Sequence, residues 1–250
     1  MEPSVTGHHT EAEHVDATNL LYRDPALYDM VQSDSTGAAM CQTLIESHRP
    51  DSGTLVDFGC GTGRDLEILA QRFACIGVDL QLGMLHYSRR ARPELDIRIG
   101  DMRTVRLHRR MDVVTCLGNS LAYVHGNTEI RQAFATFAAH ARPGALLVLC
   151  SPVAPLTRSG PVTATVDTPR GSAAVTIRHE WDLRTQINTM HRHWALPSGE
   201  EAQDEIRRRV IFPRELEGYA EQAGFEVLEM ADGSGAGLTG PTAYTVARYT

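Results

Sequence analysis

Long apolar runs are absent from this chain, and no stretch approaches the ~20 residues a helix needs to cross a bilayer. A helical membrane protein is therefore excluded. Positive charge is in short supply: 24 Lys and Arg stand against 31 Asp and Glu, for a net charge of −7. The chain as a whole has no attraction for nucleic acid or an anionic membrane surface. Its basic run, Arg207-Arg208-Arg209, reads first as a solvated strand or helix end. No C-x-x-C pair occurs, and the cysteine count is odd: Cys41, Cys60, Cys75, Cys116 and Cys150. Several lie in apolar runs, where cysteine acts as a small hydrophobe. A disulfide framework is excluded, and a reducing, cytoplasmic setting is the expectation. The opening MEPSVTGHHTEAEHVDA lacks the charged-then-apolar order of a signal peptide. Aromatic residues make up only 6%, but 42% hydrophobic content over 250 residues suffices for one sizeable core.

Residues 1–19 are polar, and their His8, His9 and His14 read as solvated tail. RDPALYDMV predicts a short helix with Asp24 as N-cap and Pro25 in the first turn. STGAAMCQTLIESHRP predicts a second helix that stops before Pro50. From there strands and helices alternate. GTLVDFG, CIGVDL, LDIRIGD, MDVVTCLGNS and ALLVLCSPV read as strands, and RPGA as the break before the last of them. Between them, helical spacing recurs at Leu66, Leu69, Ala70 and Phe73, in LGMLHYSRRA, and at Ile130, Phe134, Phe137, Ala138 and Ala141. This order predicts an α/β fold with a parallel sheet covered by helices on both faces. After Pro155 the chain becomes rich in Thr, Val, Ile and Trp, with TPRGS and LPSGE as turns, which predicts antiparallel strands. PRELEGYAEQAGFEVLEM returns to a helix ended by Gly224 and then a strand, and TAYTVARYT is a final strand.

LVDFGCGTGRDLEILA places Gly59, Gly61 and Gly63 at alternate positions between a strand and a helix, more glycine than a tight turn needs. A dinucleotide fingerprint requires a third glycine where Arg64 stands. A P-loop requires a Gly-Lys-Ser/Thr end that is missing. Both phosphate cradles are set aside. Asp79 ends the second strand twenty residues after Gly59, where a carboxylate can accept two ribose hydroxyls, and the alternative is a helix N-cap.

VDFGCGTG, then GVDLQLGML, then IGDMRTV, each at a strand end, resembles the class I S-adenosylmethionine-dependent methyltransferases over about 55–153, and ELEGYAEQAGFEV is also typical. The resemblance implies a doubly wound, Rossmann-like, mostly parallel seven-stranded sheet with an antiparallel insertion after strand five. It divides the chain into a flexible tail (1–19) and a methyltransferase domain (20–250). The latter comprises lid helices (20–50), cofactor-binding core (51–155), insertion (156–212) and C-terminal helix and strands (213–250). It implies S-adenosyl-L-methionine as cofactor and S-adenosyl-L-homocysteine as product. Gly59, Cys60, Gly61 and Gly63 would let the backbone approach the methionine part, with Asp57 on its amino group. Asp79 would hold the ribose, Asp101 and Met102 the adenine, and Leu80, Met84 and Leu117 would line the pocket.

Strand four continues as CLGNSLAYVHG, without the Asn/Asp-Pro-Pro-Tyr/Phe motif of base N-methyltransferases. LYDMV, GDMRTVRLHRRMDVVTCLGNSLAYV and HRHW resemble the dTDP-aminosugar N,N-dimethyltransferases and related antibiotic-pathway enzymes. The likeness implies a small-molecule amine as acceptor and a homodimer, with Tyr22, Tyr28, Asn119, Ser120 and Tyr123 facing the acceptor. Tyr28 and Tyr123 are thereby catalytic candidates, and His125 is a candidate base. Gln32 and CSPVAPLTRSG depart from the family pattern, both on the substrate side. Arg158, Arg178 and Arg207 to Arg209 are the cations available to an anionic acceptor. His179, His191 and His193 have no supporting carboxylate spacing, so no metal is expected. Natural-product O- or C-methylation, and a non-catalytic cofactor-binding module, are the alternatives.

Overall fold

A computed structural model describes residues 19–32, 36–156, 160–168, 171–232 and 237–250. The expected tail up to residue 18 lies outside the described residues. Asn19, the last residue of that tail, is buried and caps a short helix α1 (Leu20–Arg23) by accepting from Leu21 N at 3.1 Å. Asp24 then caps α2 (Pro25–Val31) through Leu27 N at 3.1 Å, with Pro25 in the first turn. Helix α3 (Thr36–His48) follows.

The alternating core runs β1 (Thr54–Phe58), α4 (Arg64–Leu69), β2 (Ala74–Asp79), α5 (Leu82–Ala91), β3 (Ile97–Ile99) and β4 (Met111–Cys116). A 3-10 helix (Ser120–Tyr123), α6 (Asn127–His140) and β5 (Ala141–Pro152) complete it. An insertion supplies β6 (Val162–Thr168), β7 (Gly171–Asp182), β8 (Ile187–Ala195) and β9 (Glu201–Arg209), and the chain closes with α7 (Pro213–Gln222), β10 (Phe225–Ala231) and β11 (Thr242–Tyr249).

The main sheet has seven strands in the order β10-β11-β5-β4-β1-β2-β3. β1 to β5 are parallel, and β11 runs antiparallel to both of its neighbours. Alternation along β1 assigns the two cores. Val56 and Phe58 join Phe134, Phe137 and Leu216 of α6 and α7, whereas Leu55 joins Ile45, Leu66 and Leu69 of α3 and α4. The order reverses at β1, which lies between β2 and β4, so ligand space opens beyond the carboxyl ends of these strands.

Two local expectations change. LDIRIGD forms only the three-residue edge strand Ile97–Ile99. RPGA does not separate helix from strand, because α6 runs into β5 at Ala141. The slack appears as a register shift, with Met111 opposite Ala141 but Val113 opposite Leu146, and Gly144 at φ 77°. Pro143 has no N–H to give the ladder, which suits a bulge. The insertion is antiparallel as expected, and it builds a sheet of its own, β6-β7-β8-β9. On that second sheet Ala173, Val175 and Trp194 pack against Leu21 and Leu27, so the N-terminal helices are held between two sheets.

Candidate active site

The chain turns from β1 into α4 within residues 59–63. Gly59 donates to Val78 O at 2.7 Å and accepts from Ser120 Oγ at 3.1 Å. Its φ is 80°, and a Cβ there would fall 2.4 Å from Ser120 Cβ, so only glycine fits. Gly61, at φ 55°, is different. Its added Cβ would meet nothing nearer than Tyr28 Cε1 at 4.0 Å, so a side chain would occupy open space. Gly61 N donates to Asp79 Oδ2 at 2.7 Å, and Gln81 N donates to Asp79 Oδ1 at 2.8 Å. Asp79 thus ties the glycine turn to the start of α5.

These groups form one end of a cavity of about 230 Å³. Met84, Met102 and Leu80 supply apolar wall, with Leu80 the most exposed of the three. Asp101 also lines it, and its carboxylate accepts from Arg103 N at 2.8 Å, Nε at 2.9 Å and Nη2 at 2.7 Å. Burial acts to raise the Asp101 pKa, but the Arg103 contacts outweigh it and hold it below the usual carboxylate range. Arg103 is itself bound by Glu129, which also accepts from Gly126 N at the start of α6.

The same cavity has an aromatic wall. Tyr22 from α1 lies 5.8 Å from Tyr28 of α2 and 5.9 Å from Tyr123, ring centre to ring centre. Burial, then the neighbouring Tyr123, pushes Tyr28 up to about 12 and Tyr22 well above its ordinary value. Both remain neutral phenols at physiological pH. The Arg208 guanidinium stands 5.6 Å from the Tyr123 ring centre. Burial opposes its charge, but Tyr123 and the other two tyrosines more than compensate and its pKa rises. Ser120 and His125 line the same cavity. His125 Nε2 is 3.2 Å from Arg207 O, which makes that nitrogen the N–H donor of this pair.

Other expected residues stand elsewhere. Asp57 is not on the cavity wall: it stands opposite Gly77, two residues short of Asp79, and accepts from Thr115 Oγ1 at 2.7 Å. Burial pushes its carboxyl up to about 8, against the Thr115 bond. The Cys60 sulfur packs against Gly77, and Leu117 lies in the core beside α3 and α4. Gly63 starts α4 and faces Ser88 and Ile97. Asn119 adopts a left-handed backbone, φ 65°, that starts the 3-10 helix and keeps it off the wall. Arg178 is largely exposed and, among the described residues, pairs with Glu180 at 4.0 Å. Arg158 lies outside the described residues.

His191 approaches Glu180 and Glu205 at 3.4 Å each, His193 approaches Glu201 at 3.5 Å, and His179 bonds Asn188 at 2.9 Å. Among the described residues no group of three metal-ligating side chains converges. The cavity also takes in Asn19, Gln81, Arg103 and residues 205–207, which the sequence reading did not assign to a cofactor or catalytic role. Arg103 carried a signal, two positions after Asp101 in a strand-end motif. Asn19 carried none, being brought in by a chain segment 173 residues away through Arg192.

Residues 55–144 match a family described as a methyltransferase domain. A dTDP-3-amino-3,6-dideoxy-alpha-D-glucopyranose N,N-dimethyltransferase of Streptomyces fradiae is 36% identical over 49% of this chain and 51% of its own length. A dTDP-3-amino-3,4,6-trideoxy-alpha-D-glucopyranose N,N-dimethyltransferase of Streptomyces venezuelae is 31% identical over 56% of this chain and 57% of its own. The chain thus spans about half the length of the curated relatives it matches. Over the whole of both chains, it resembles the structure of CalS10, an amino pentose methyltransferase from Micromonospora echinaspora involved in calicheamicin biosynthesis, solved with S-adenosylmethionine bound, at TM-score 0.76 and 26% identity.

Proposed function

We propose that this chain, which has the fold and strand-end motifs of a class I S-adenosylmethionine-dependent methyltransferase, methylates an amine of a small, aminosugar-like molecule in an antibiotic or other secondary-metabolite pathway. One observation carries the reading. A single cavity is lined by the bare glycine turn and Asp79 together with three tyrosines, Tyr28 standing beside Gly61.

The residues suit the cofactor. Gly61 leaves open the space a side chain would fill, and Asp79 and Asp101 present carboxylates at the second and third strand ends. Gly59 and Gly61 would take the methionine part, Asp79 the ribose, and Asp101 with Met84, Met102 and Leu80 the adenine. Bound there, S-adenosylmethionine supplies an electrophilic methyl on a good leaving group. The chain contributes positioning and desolvation. Tyr28 and Tyr123 flank the acceptor end, with Tyr22 behind them and Ser120 below. As neutral phenols, Tyr22 and Tyr28 hydrogen-bond an amine without taking its proton. An acceptor that binds as the free amine needs no base, and its proton leaves to solvent after transfer. His125 serves as base only through Nδ1, since Nε2 is engaged by Arg207 O.

Calorimetry with S-adenosylmethionine and S-adenosylhomocysteine tests the first half of the reading, and failure of folded protein to bind either overturns it. Product mass spectrometry with fragmentation tests the second, and methyl found on oxygen or carbon rejects an N-methyltransferase. We also infer a homodimer, from the strand-rich insertion and its open edge strand β6, and a monomer in light scattering at micromolar concentration rejects it. A reducing, cytoplasmic setting suits the five free cysteines.

A further inference from the structure

Resting on that cofactor assignment, we propose that Asp29 is a positioning residue that latches the acceptor-side helix α2 to the cofactor-side glycine turn, so that cofactor binding and closure of the tyrosine wall are one coupled event. Asp29 follows Tyr28 on α2. Its Oδ1 accepts from Thr62 Oγ1 at 2.6 Å, and its Oδ2 accepts from Arg92 Nη2 at 2.9 Å and Tyr87 OH at 3.4 Å. Thr62 is buried in the middle of the turn, between Gly61 and Gly63. The turn is therefore gripped on two sides: Asp79 holds Gly61 N next to the cavity, and Asp29 holds the neighbouring hydroxyl from the lid. Tyr28 itself stands beside Gly61, 4.0 Å from where a Cβ would be. Whatever fixes the shape of 61–62 fixes the height of Tyr28 above it.

The surrounding charges make the latch separable from the fold. Arg92 also donates to Glu67 Oε2 at 2.8 Å and to Thr62 O at 3.2 Å. Loss of the Asp29 charge leaves the guanidinium with two partners and the turn still bridged to the end of α5. An Asp29→Ala change, which removes both acceptor oxygens, releases the lid while stranding no buried cation.

The test is the rate at which S-adenosylhomocysteine leaves the preloaded full chain. Stopped-flow Trp fluorescence reads it, with Trp194 packed on Leu21 and Leu27 of the lid as reporter. Asp29→Ala and Thr62→Val are each expected to speed release about tenfold. The double variant is expected to be no faster than either single one, because both break the same contact. Asp29→Glu is expected to restore most of the slow release, which a general loss of stability would not allow. Singles within about twofold of the parent rate, or a double variant whose effects multiply, overturn the latch. If Asp29→Ala fails to fold, Thr62→Val, which alters no charge, decides alone. A parent chain that binds neither form of the cofactor overturns the functional reading itself, whereas a binding parent with unchanged variants removes only the latch.

Discussion

Replacing Asp79 by Asn perturbs two things at once. In the folded chain both carboxylate oxygens accept a backbone N–H, from Gly61 at 2.7 Å and Gln81 at 2.8 Å. An asparagine offers one acceptor in place of two and sets its NH2 group against an N–H that has nowhere to turn. Losing one of these backbone bonds lowers the stability of the folded chain, which circular dichroism melting reads. Under the proposed ribose role, one ribose hydroxyl also loses a charged acceptor, worth about 1.5–3 kcal/mol. Converted to affinity, that ligand contact alone should weaken S-adenosylhomocysteine binding by about 10- to 150-fold in calorimetry, read at a temperature where both chains are folded. An intact Asp79→Asn variant that binds within about threefold of the parent refutes the reasoning, because it leaves neither the turn nor the ribose dependent on the charge.

Three other outcomes are expected. Burial holds the Asp57 carboxyl protonated up to about 8, against an ordinary 3.8. The folded state therefore keeps a proton that the unfolded chain releases, and this contribution is complete below 3.8 and lost as pH rises through about 8. Asp57→Asn should flatten the stability curve across that window, by up to about 1.4 kcal/mol per pH unit in urea titrations, and an unchanged slope refutes it. Asp204 and Arg192 form a buried pair to which Trp194 Nε1 also donates, at 3.2 Å. Asp204→Ala should cost about 3–5 kcal/mol, while Arg192→Met with Asp204→Leu recovers most of it; a single variant that costs under about 1 kcal/mol contradicts this. Gly59→Ala should lose cofactor binding and stability together, because its Cβ would strike Ser120, and a normal melting curve counts against it.

The sheet was legible because buried parallel strands and amphipathic helices leave different periods in the chain, and the glycine turn because bare backbone at alternate positions has few uses. What failed was placement. Asp57 and Asp79 both stand near a strand end and both precede a turn, and the register puts them on the same face, Asp57 opposite Gly77; Asp79 lies two residues further along, at the very end of its strand, and reaches the cavity where Asp57 does not. The insertion shows the same limit. Arg178 and Arg208 were equal as cations, and only the register of β7 to β9 sends one to solvent and the other to Tyr123. Asn19 was read as tail because its partner, Arg192, is 173 residues distant and no local pattern encodes such a contact.

That distance bears on how the protein is made. Leu20 N donates to Asp204 across 184 residues, and Leu21 and Leu27 are covered by β7 and β8. A ribosome adding ~5–20 residues per second reaches Asp204 roughly 10–40 s after the lid has been synthesised. For that interval the first helices have no second sheet to dock on, although the parallel core between them can already collapse. An early-made part of the chain thus waits for a later one before it is covered, and its docking on the finished insertion is the step that closes this side of the cavity.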